Sequence, residues 1–286
     1  MRDPWARDAL RGIAPDADVL LVGAGLTAVD VALALTCGPR GGQLVSISRR
    51  GLAPQSHRRS GATPGALDAG ALVDAMGDTL RRQWRVLREH FAARSARGED
   101  WRDVIGALRP HTPALWQRLS SADRARFLRH ARPHWEALRH RCAPSAHDAY
   151  RQLVDDGRLE VRAARIVAVE PRSDGRLDVT LKRRGMPDVE RLAVDHLVNC
   201  TGPSSDLRRC ASPLVRDLLD AGWISADPLG LGLQVSHGYA VIGRDGLPTP
   251  RLSYIGPLLK ARDWEATAVP ELRQHAWTLA QRLLAP

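Results

Sequence analysis

The sequence has no apolar run long enough to cross a membrane and few residues of the kinds that form cross-links or metal centres. A membrane-spanning helix needs about 18 apolar residues, and the best candidate, residues 19–37, is interrupted by Asp30. The four cysteines, at positions 37, 142, 200 and 210, form no Cys-x-x-Cys pair and no zinc-ligand spacing. We therefore predict no metal site and interpret the cysteines as small buried thiols.

The N-terminal segment lacks the apolar core of a secretory signal, since residues 1–8 carry charges of both signs. We accordingly predict a cytoplasmic protein. With 286 residues, of which 44% are apolar and 26% charged, the chain is long enough for one large or two ordinary globular domains. This composition excludes an intrinsically disordered chain and a collagen-like repeat.

Lysine is almost absent, because Lys182 and Lys260 are the only two, whereas arginine is abundant and gives a formal net charge of +10. Most of the surplus lies in residues 81–141, which hold 15 Arg against 6 Asp or Glu. A basic segment is compatible with nucleic-acid binding. No helix-turn-helix, zinc-finger or RNA-recognition motif accompanies it, so nucleic-acid binding is the less favoured alternative.

The strongest local pattern predicts a strand, a glycine turn and a helix near the N-terminus. An apolar strand over residues 16–22 runs into Gly23-Ala-Gly25-Leu-Thr-Ala28, and a helix follows through residues 29–35. A second strand, residues 43–48, comes after the breaker Gly-Pro-Arg-Gly-Gly at 38–42. This βαβ unit implies a parallel sheet.

The remaining chain changes periodicity twice. Apolar residues recur at helical spacing from about residue 67 to 156, where Ser120-Ser-Ala-Asp123 before residues 124–132 predicts a helix start with a hydroxyl as its N-cap. Apolar residues alternate with period two in 158–163, 165–170, 177–184 and 189–198, as in a β-meander whose last strand runs into Cys200. Beyond it we predict a helix at 213–221, a strand at 251–255 and a closing helix that begins near Ala268. The fold class is therefore α/β, with a Rossmann-type parallel sheet, a helical insertion and a β-meander.

The glycine turn has a chemical interpretation. In a dinucleotide-binding unit, Gly23 would allow the tight turn, Gly25 would let a pyrophosphate approach the backbone, and Ala28 would keep helix and strand close. The free N–H groups at the helix start, around Leu26 and Thr27, would face the phosphate charge. The alternative is a glycine turn with a purely structural role.

The second strand ends without the acid that usually binds the adenosine ribose. No Asp or Glu occurs between Asp30 and Asp68, and the strand ends in Ser48-Arg49-Arg50. Two guanidiniums and a hydroxyl suit a 2′-phosphate, which favours NADP over NAD and over S-adenosylmethionine. The alternative is that both arginines are merely solvated. His57, on the following loop, either contacts a phosphate or is a surface histidine.

Several longer segments resemble a bacterial FAD/NAD(P)-binding protein family. The family is related to the flavoproteins with two dinucleotide-binding domains, which include N-hydroxylating and class B monooxygenases and the pyridine nucleotide-disulfide reductases. The segments that carry the resemblance are LLVGAGLTAVD at 20–30, SISRRGLAP at 46–54, LRPHTPALW at 108–116, FLRH at 127–130, VNCTGP at 198–203, DPLGLG at 227–232 and WEATAVPELR at 264–273.

The resemblance implies an FAD- and NAD(P)H-dependent oxidoreductase. Residues 1–200 would form the NADPH-binding domain with its helical insertion, and residues 201–286 the C-terminal part of an FAD-binding domain. On the flavin side the resemblance implies contacts from Thr201, Gly202, Gly256, Pro257, Trp264, Thr267, Ala268 and Val269. The closing helix would direct its positive end at the flavin ring.

One expected element is missing, because the sequence contains a single Gly-x-Gly-x-x-Gly/Ala turn, where such flavoproteins have a second one for FAD. We therefore expect that the N-terminal FAD half is not present in this chain. The alternative to a flavin oxidoreductase is then a non-catalytic NADP-binding fragment, or a subunit that needs a separate FAD-binding chain. No catalytic acid, base or nucleophile can be assigned from spacing alone.

Overall fold

The computed structural model describes residues 1–59 and 67–284, which form two compact units. The first unit contains the described residues up to 59 together with His130–Gly202. The second contains the described residues from 67 to Arg129 and from Pro203 onward. Each unit is built from chain segments that are distant in sequence.

Over the residues that the structure describes, the chain opens with a β-α-β unit, continues with seven consecutive α-helices and then four consecutive strands, and ends with a helix, two strands and a last helix. The strands are β1 Val19–Val22, β2 Leu44–Ser48, β3 Glu160–Pro171, β4 Leu177–Arg183, β5 Val189–Val194, β6 His196–Asn199, β7 Ala240–Ile242 and β8 Pro248–Ser253. The α-helices are α1 Leu26–Leu35, α2 Ala69–Met76, α3 Leu80–Ala96, α4 Trp101–Leu108, α5 Thr112–Arg118, α6 Ser121–Arg126, α7 Arg132–Arg139, α8 Pro144–Asp155, α9 Pro213–Asp220 and α10 Val269–Leu284. The predicted α/β fold class is confirmed.

The first unit is organised around a six-stranded sheet with the order β5-β4-β3-β2-β1-β6. Strands β3, β2, β1 and β6 are parallel, whereas β4 and β5 join as an antiparallel meander. The predicted βαβ unit at the N-terminus is therefore confirmed as β1, α1 and β2. It lies in the centre of the sheet, where both faces are buried.

The segment 189–198, predicted as one meander strand, is divided into two. Asp195 ends β5, and β6 then pairs with β1 at the opposite edge of the sheet. The break is held by Asp18, whose N–H donates to the Asp195 carboxylate at 2.7 Å while the Asp195 N–H donates to its carbonyl at 2.9 Å. Alternation of apolar residues continues across the break, which is why the sequence pattern did not reveal it.

Two further segments differ from the expected boundaries. The pattern at 158–163 and 165–170 predicted two strands, but the structure has the single long strand β3, with an irregular register between Ile166 and Ala168. The strand predicted at 251–255 begins earlier, as β8 at Pro248. At an irregular register the following side chains change to the other face of the sheet. The period-two pattern is therefore interrupted in the sequence, as it is at the end of a strand.

Alternation along β1 divides the core of the first unit between the two faces of the sheet. Val19 and Leu21 pack with α1, and Tyr150 and Leu153 of α8 belong to the same cluster. Leu20, on the other face, belongs to a cluster with residues of β2, β4 and β5. The glycine turn after β1 therefore follows a strand whose first three residues are fully buried.

The second unit contains α2–α6, the short β7–β8 ribbon, α9 and α10. Its helical core is formed by α2, α3 and α4, with Leu72, Val73, Leu87 and Leu108 buried together. Several of these helices begin at the predicted type of cap; the Ser120 hydroxyl, for example, accepts from the Asp123 N–H at 3.1 Å. Within the described residues, no helix is both long and apolar enough to cross a bilayer.

Candidate nucleotide-binding site

The glycine turn between β1 and α1 has two glycines with different roles. Gly23 has φ +120°, and a Cβ added there would lie 2.5 Å from the Cys200 carbonyl oxygen and 3.1 Å from the Thr201 nitrogen. Only glycine fits this close approach to the end of β6. At Gly25, by contrast, an added Cβ would meet no atom within 4 Å. Gly25 is exposed and borders open space.

Helix α1 starts immediately beyond this open space. Gly25 is its N-cap, no side chain caps the helix, and its first turn contains no acidic residue. The Ala28 and Val29 N–H groups donate to the Gly25 carbonyl, whereas the Leu26 and Thr27 N–H groups have no acceptor among the described residues. Free N–H groups at a helix N-terminus attract anions, and each anionic contact is worth about 0.3–1 kcal/mol.

The end of β2 lies directly beside the turn, because the Gly23 N–H donates to the Ile47 carbonyl at 2.8 Å. The Ser48 hydroxyl oxygen accepts from the Gly51 N–H at 2.9 Å and so stabilises the chain reversal after β2. Arg49 is exposed and Arg50 half-buried. Neither guanidinium has a carboxylate partner among the described residues, so both are available to an anion.

His57 lies farther along the loop that follows β2. Its N–H donates to the Cys142 carbonyl at 2.9 Å, and the neighbouring Ser56 forms a β-bridge with Cys142. The imidazole is on the exposed side of this pairing. The loop is held here by backbone pairing, and a phosphate contact from His57 stays a prediction.

At the end of β6, Asn199 is a residue that the sequence reasoning missed. Its side-chain oxygen accepts from both the N–H and the hydroxyl of Thr201, at 3.2 and 2.7 Å, and its side-chain N–H donates to the Arg2 carbonyl. Thr201 and Gly202 are exposed next to the glycine turn. Asparagine at a strand end is common in loops, so no pattern in the sequence pointed to it.

Cys200 is buried at the same place, between Asn199 and Thr201. Its N–H donates to the Val22 carbonyl at 2.8 Å, and burial raises the pKa of its thiol to about 12. The thiol is therefore protonated at neutral pH. Among the described residues, no group of three or more His, Cys, Asp or Glu is placed to hold a metal ion.

The predicted flavin-side residues of the second unit lie around the 3₁₀ helix Pro257–Ala261 and the start of α10. Gly256, at φ +152°, precedes that helix and lies against the Tyr254 ring. Trp264 is 4% exposed and packs between Trp116 and Phe127, with ring centroids 4.8 and 5.0 Å away. In this unit Trp264 is a core residue, and its flavin contact stays a prediction.

The remaining predicted positions, Thr267, Ala268 and Val269, lie at the exposed N-terminal end of α10. Glu271, in the first turn, makes a bidentate ion pair with Arg109 at 2.5 and 2.7 Å. This hydrogen-bonded pair raises the pKa of Arg109. The positive end of α10 thus already faces a carboxylate, in contrast to α1.

The arginine-rich segment is largely committed to internal contacts. Arg94 is 5% exposed and lies 2.6 Å from the Glu99 carboxylate. Arginines of residues 81–141 that bind a carboxylate are Arg94, Arg97, Arg102, Arg109, Arg126 and Arg132. These contacts reduce the charge that the segment could present to nucleic acid.

Three solved structures that resemble this chain are a lysine monooxygenase and two ornithine hydroxylases. The L-lysine 6-monooxygenase of Pseudomonas syringae matches 96% of this chain at TM-score 0.56 and 20% identity. The ornithine N-hydroxylase of Kutzneria sp. 744, solved with reduced FAD, NADP⁺ and L-ornithine, also matches 96%, at TM-score 0.55 and 16% identity. The ornithine hydroxylase of Pseudomonas aeruginosa matches 96% at TM-score 0.52 and 14% identity.

The match covers only part of these three proteins, because this chain spans between 54% and 56% of their length. No family model and no curated protein sequence matches the chain. At such low identities the likeness concerns the fold.

Substitutions at Gly23 and Gly25 should affect the thermal stability of the protein differently. Gly23→Ala places a Cβ against the Cys200 backbone at a positive φ, so we expect a loss of about 3 kcal/mol in unfolding free energy and a Tm roughly 10 °C lower. Gly25→Ala, the matched control, meets no atom within 4 Å and should leave the Tm unchanged. Thermal denaturation followed by circular dichroism measures both. Equal Tm values for the two variants would contradict the assigned roles.

The three solved structures described above confirm what the sequence resemblance implied about the fold: this chain folds like about half of an N-hydroxylating monooxygenase.

Proposed function

We propose that this chain binds NADPH through its first unit and supplies the NADPH-binding part of an FAD-dependent oxidoreductase. The observation that carries the proposal is the open space at Gly25 in front of the free Leu26 and Thr27 N–H groups. A pyrophosphate placed there would accept hydrogen bonds from the helix start without moving any atom. The acid-free first turn adds no repulsion.

The choice of NADPH over NADH follows from the end of β2. Arg49 and Arg50 lie where a ribose-binding carboxylate is usual, and they would bind the 2′-phosphate of NADPH instead. Neither arginine has a carboxylate partner among the described residues. Guanidinium groups bind phosphate through paired, charge-assisted hydrogen bonds. The ornithine N-hydroxylase with a similar fold was solved with NADP⁺ and reduced FAD, which supports the same cofactor pair here.

The flavin supplies the redox chemistry when it is bound, accepting hydride from the nicotinamide and passing electrons to oxygen or another acceptor. The chain's own contribution is to hold and orient NADPH. The residues of the second unit near the start of α10 are the candidates for contact with the flavin. They include no second helix N-terminus of the α1 type, because Glu271 occupies the first turn of α10.

A second candidate function is an NADPH-binding subunit that acts with a separate FAD-binding chain. The observation that favours it is the exposed apolar side of α10, where Val269, Trp277, Leu283 and Leu284 are each more than half exposed. Apolar side chains spaced along one helix usually contact another protein surface. The two candidates differ in where the flavin is held, while the NADPH site is the same in both.

Gly25→Val tests the NADPH site itself. The valine side chain would occupy the open space, so we expect NADPH binding to be lost while the fold is kept. Titration of NADPH fluorescence measures binding, and circular dichroism checks the fold. A folded variant that binds NADPH like the parent protein would reduce the glycine turn to a structural role.

Nucleotide preference provides a second test. The parent protein should bind NADPH more tightly than NADH, and Arg49→Ala with Arg50→Ala should remove the preference. Losing two charge-assisted contacts should cost about 3 kcal/mol, roughly a hundredfold in affinity for NADPH. NADH affinity is the internal control and should stay the same. Equal affinities of the parent protein for the two nucleotides would disprove the NADP assignment.

Flavin incorporation tests whether this chain can hold FAD by itself. This chain expressed alone should be colourless, because the single glycine turn is assigned to NADPH and a contact at the ring end alone does not repay the cost of immobilising FAD. FAD incorporation should appear when a separate FAD-binding half is supplied. Absorbance near 450 nm, typical of bound flavin, is the measurement. Stoichiometric FAD in the chain alone would reassign the glycine turn to FAD.

A further inference from the structure

We propose that Arg184, immediately after β4, is a further contact for the 2′-phosphate of NADPH and acts together with Arg50. This inference rests on the proposed NADPH site and names a residue that decides its preference between NADPH and NADH. Arg184 is far from Arg50 in the sequence, so no local pattern connects the two. They come together because β2, β3 and β4 lie side by side in the sheet.

The strand register places Arg184 at the same edge of the sheet as the end of β2. Ser48, the last residue of β2, is the register partner of Ala163 in β3, and Ala164 is the partner of Arg183 in β4. The pairing continues by one residue, because the Arg184 N–H donates to the Ala163 carbonyl at 2.8 Å. Register partners share a face of the sheet, so Ser48, Ala163 and Arg184 form one row across three strands.

The middle position of this row has a short side chain, the methyl group of Ala163. Neighbouring strands lie about 4.8 Å apart, so the backbone of Arg184 is about 10 Å from that of Ser48, and a long side chain such as arginine can extend toward the end of β2. The loop after β2 lies against the same alanine, since a Cβ added at Gly51 would be 3.2 Å from the Ala163 nitrogen. Arg50, the residue before Gly51, and Arg184 therefore flank one contact.

A second observation connects the charges of the two arginines. Burial lowers the pKa of His134 on α7, and the charges of Arg50 and Arg184 lower it further. Charges separated by more than about 10 Å are largely screened at physiological ionic strength, so both guanidinium groups lie near the same imidazole. Three basic side chains, from the loop after β2, from α7 and from the end of β4, thus share one place.

Arginines on the opposite face of the sheet are paired with carboxylates. Arg162 donates to Glu160 at 2.6 Å and to Glu190 at 3.3 Å, and Arg183 lies 3.8 Å from Glu190. Arg183 belongs to that face because its register partner Ala164 packs on the side of the sheet away from α1. Both glutamates are therefore bound to arginines of the other face.

Arg50, His134 and Arg184 have no such partner. None of the three forms an ion pair with a carboxylate among the described residues, and no acid contributes to the pKa of His134. Like charges that share one place repel each other. A phosphate dianion would offset this repulsion and accept paired hydrogen bonds from the guanidinium groups. The 2′-phosphate of NADPH therefore fits this place better than the neutral ribose hydroxyl of NADH.

The test compares the full chain with Arg184→Ala by titrating NADPH and NADH and following nucleotide fluorescence. Arg184→Ala should weaken NADPH binding about tenfold and leave NADH binding unchanged, because NADH lacks the 2′-phosphate. The backbone hydrogen bond to Ala163 remains in this variant, so the Tm should not change. Arg184→Lys should recover part of the loss, since lysine keeps the charge but not the planar fork of donors.

Arg191→Ala is the matched control. Arg191 is an exposed arginine of β5 whose register partner is Thr180, so it lies on the same face of the sheet as Arg184 but about 13 Å farther along the strands. The variant removes the same charge from the same face and should bind both nucleotides like the parent protein. An equal loss of NADPH binding in Arg184→Ala and Arg191→Ala would reduce the effect to net charge and overturn the proposal.

A combined variant tests whether Arg184 and the arginines after β2 hold the same phosphate. Arg184→Ala added to Arg49→Ala with Arg50→Ala should cause no further loss of NADPH binding, because the phosphate is then no longer held. A further tenfold loss in the combined variant would place Arg184 at a different group and overturn the shared contact.

The results also separate this inference from the NADPH proposal. If the parent protein prefers NADPH and Arg184→Ala keeps that preference, the role of Arg184 is wrong and the NADPH site stands. If Arg184→Ala weakens NADPH and NADH equally, the contact is to the adenine or the pyrophosphate, which both nucleotides contain, and the inference is again wrong. Equal affinities of the parent protein for the two nucleotides would overturn the NADPH proposal and this inference together.

Discussion

The contact between Gly23 and the backbone of Cys200 is the constraint on which the rest of the first unit depends. It joins the end of β1 to the end of β6, two strands whose sequence positions are far apart, at a distance that admits no side chain at Gly23. The Gly23 N–H is held on the other side by β2. Three strand ends thus fix the direction in which α1 leaves the sheet, and with it the direction of its free N–H groups.

The backbone geometry itself creates the open space at the start of α1. Gly25 and the Leu26 and Thr27 N–H groups need no rearrangement to receive an anion, because the space in front of them is already open. Preformed sites lose little affinity to ordering. The start of α10 in the second unit differs, since Glu271 and Arg109 already neutralise each other there. In the sequence, the starts of α1 and α10 are equally plausible as contacts for a cofactor. In the structure α1 presents free N–H groups, whereas α10 presents the Glu271 carboxylate.

The elements that were predictable from sequence are those whose signals are local. Periodicity and glycine placement located β1, α1 and β2, and Ser120 marked a helix start, because each depends on neighbouring residues. The break at Asp195 was not predictable, because it depends on a hydrogen bond to Asp18 from a distant segment. Trp264 likewise showed its packing against Trp116 and Phe127 only once the chain was folded.

Burial of Cys200 has a consequence for the chemical durability of the protein. Oxidants and alkylating agents react with the exposed thiolate form of cysteine, and this thiol is both shielded and, with its pKa raised to about 12, protonated. A sulfenic or sulfinic acid at this position would have to place polar oxygen atoms in the hydrophobic core, where Cys200 is 4% exposed. The cysteine beside the glycine turn is therefore poorly reactive, as suits a protein proposed to work beside reduced flavin and oxygen.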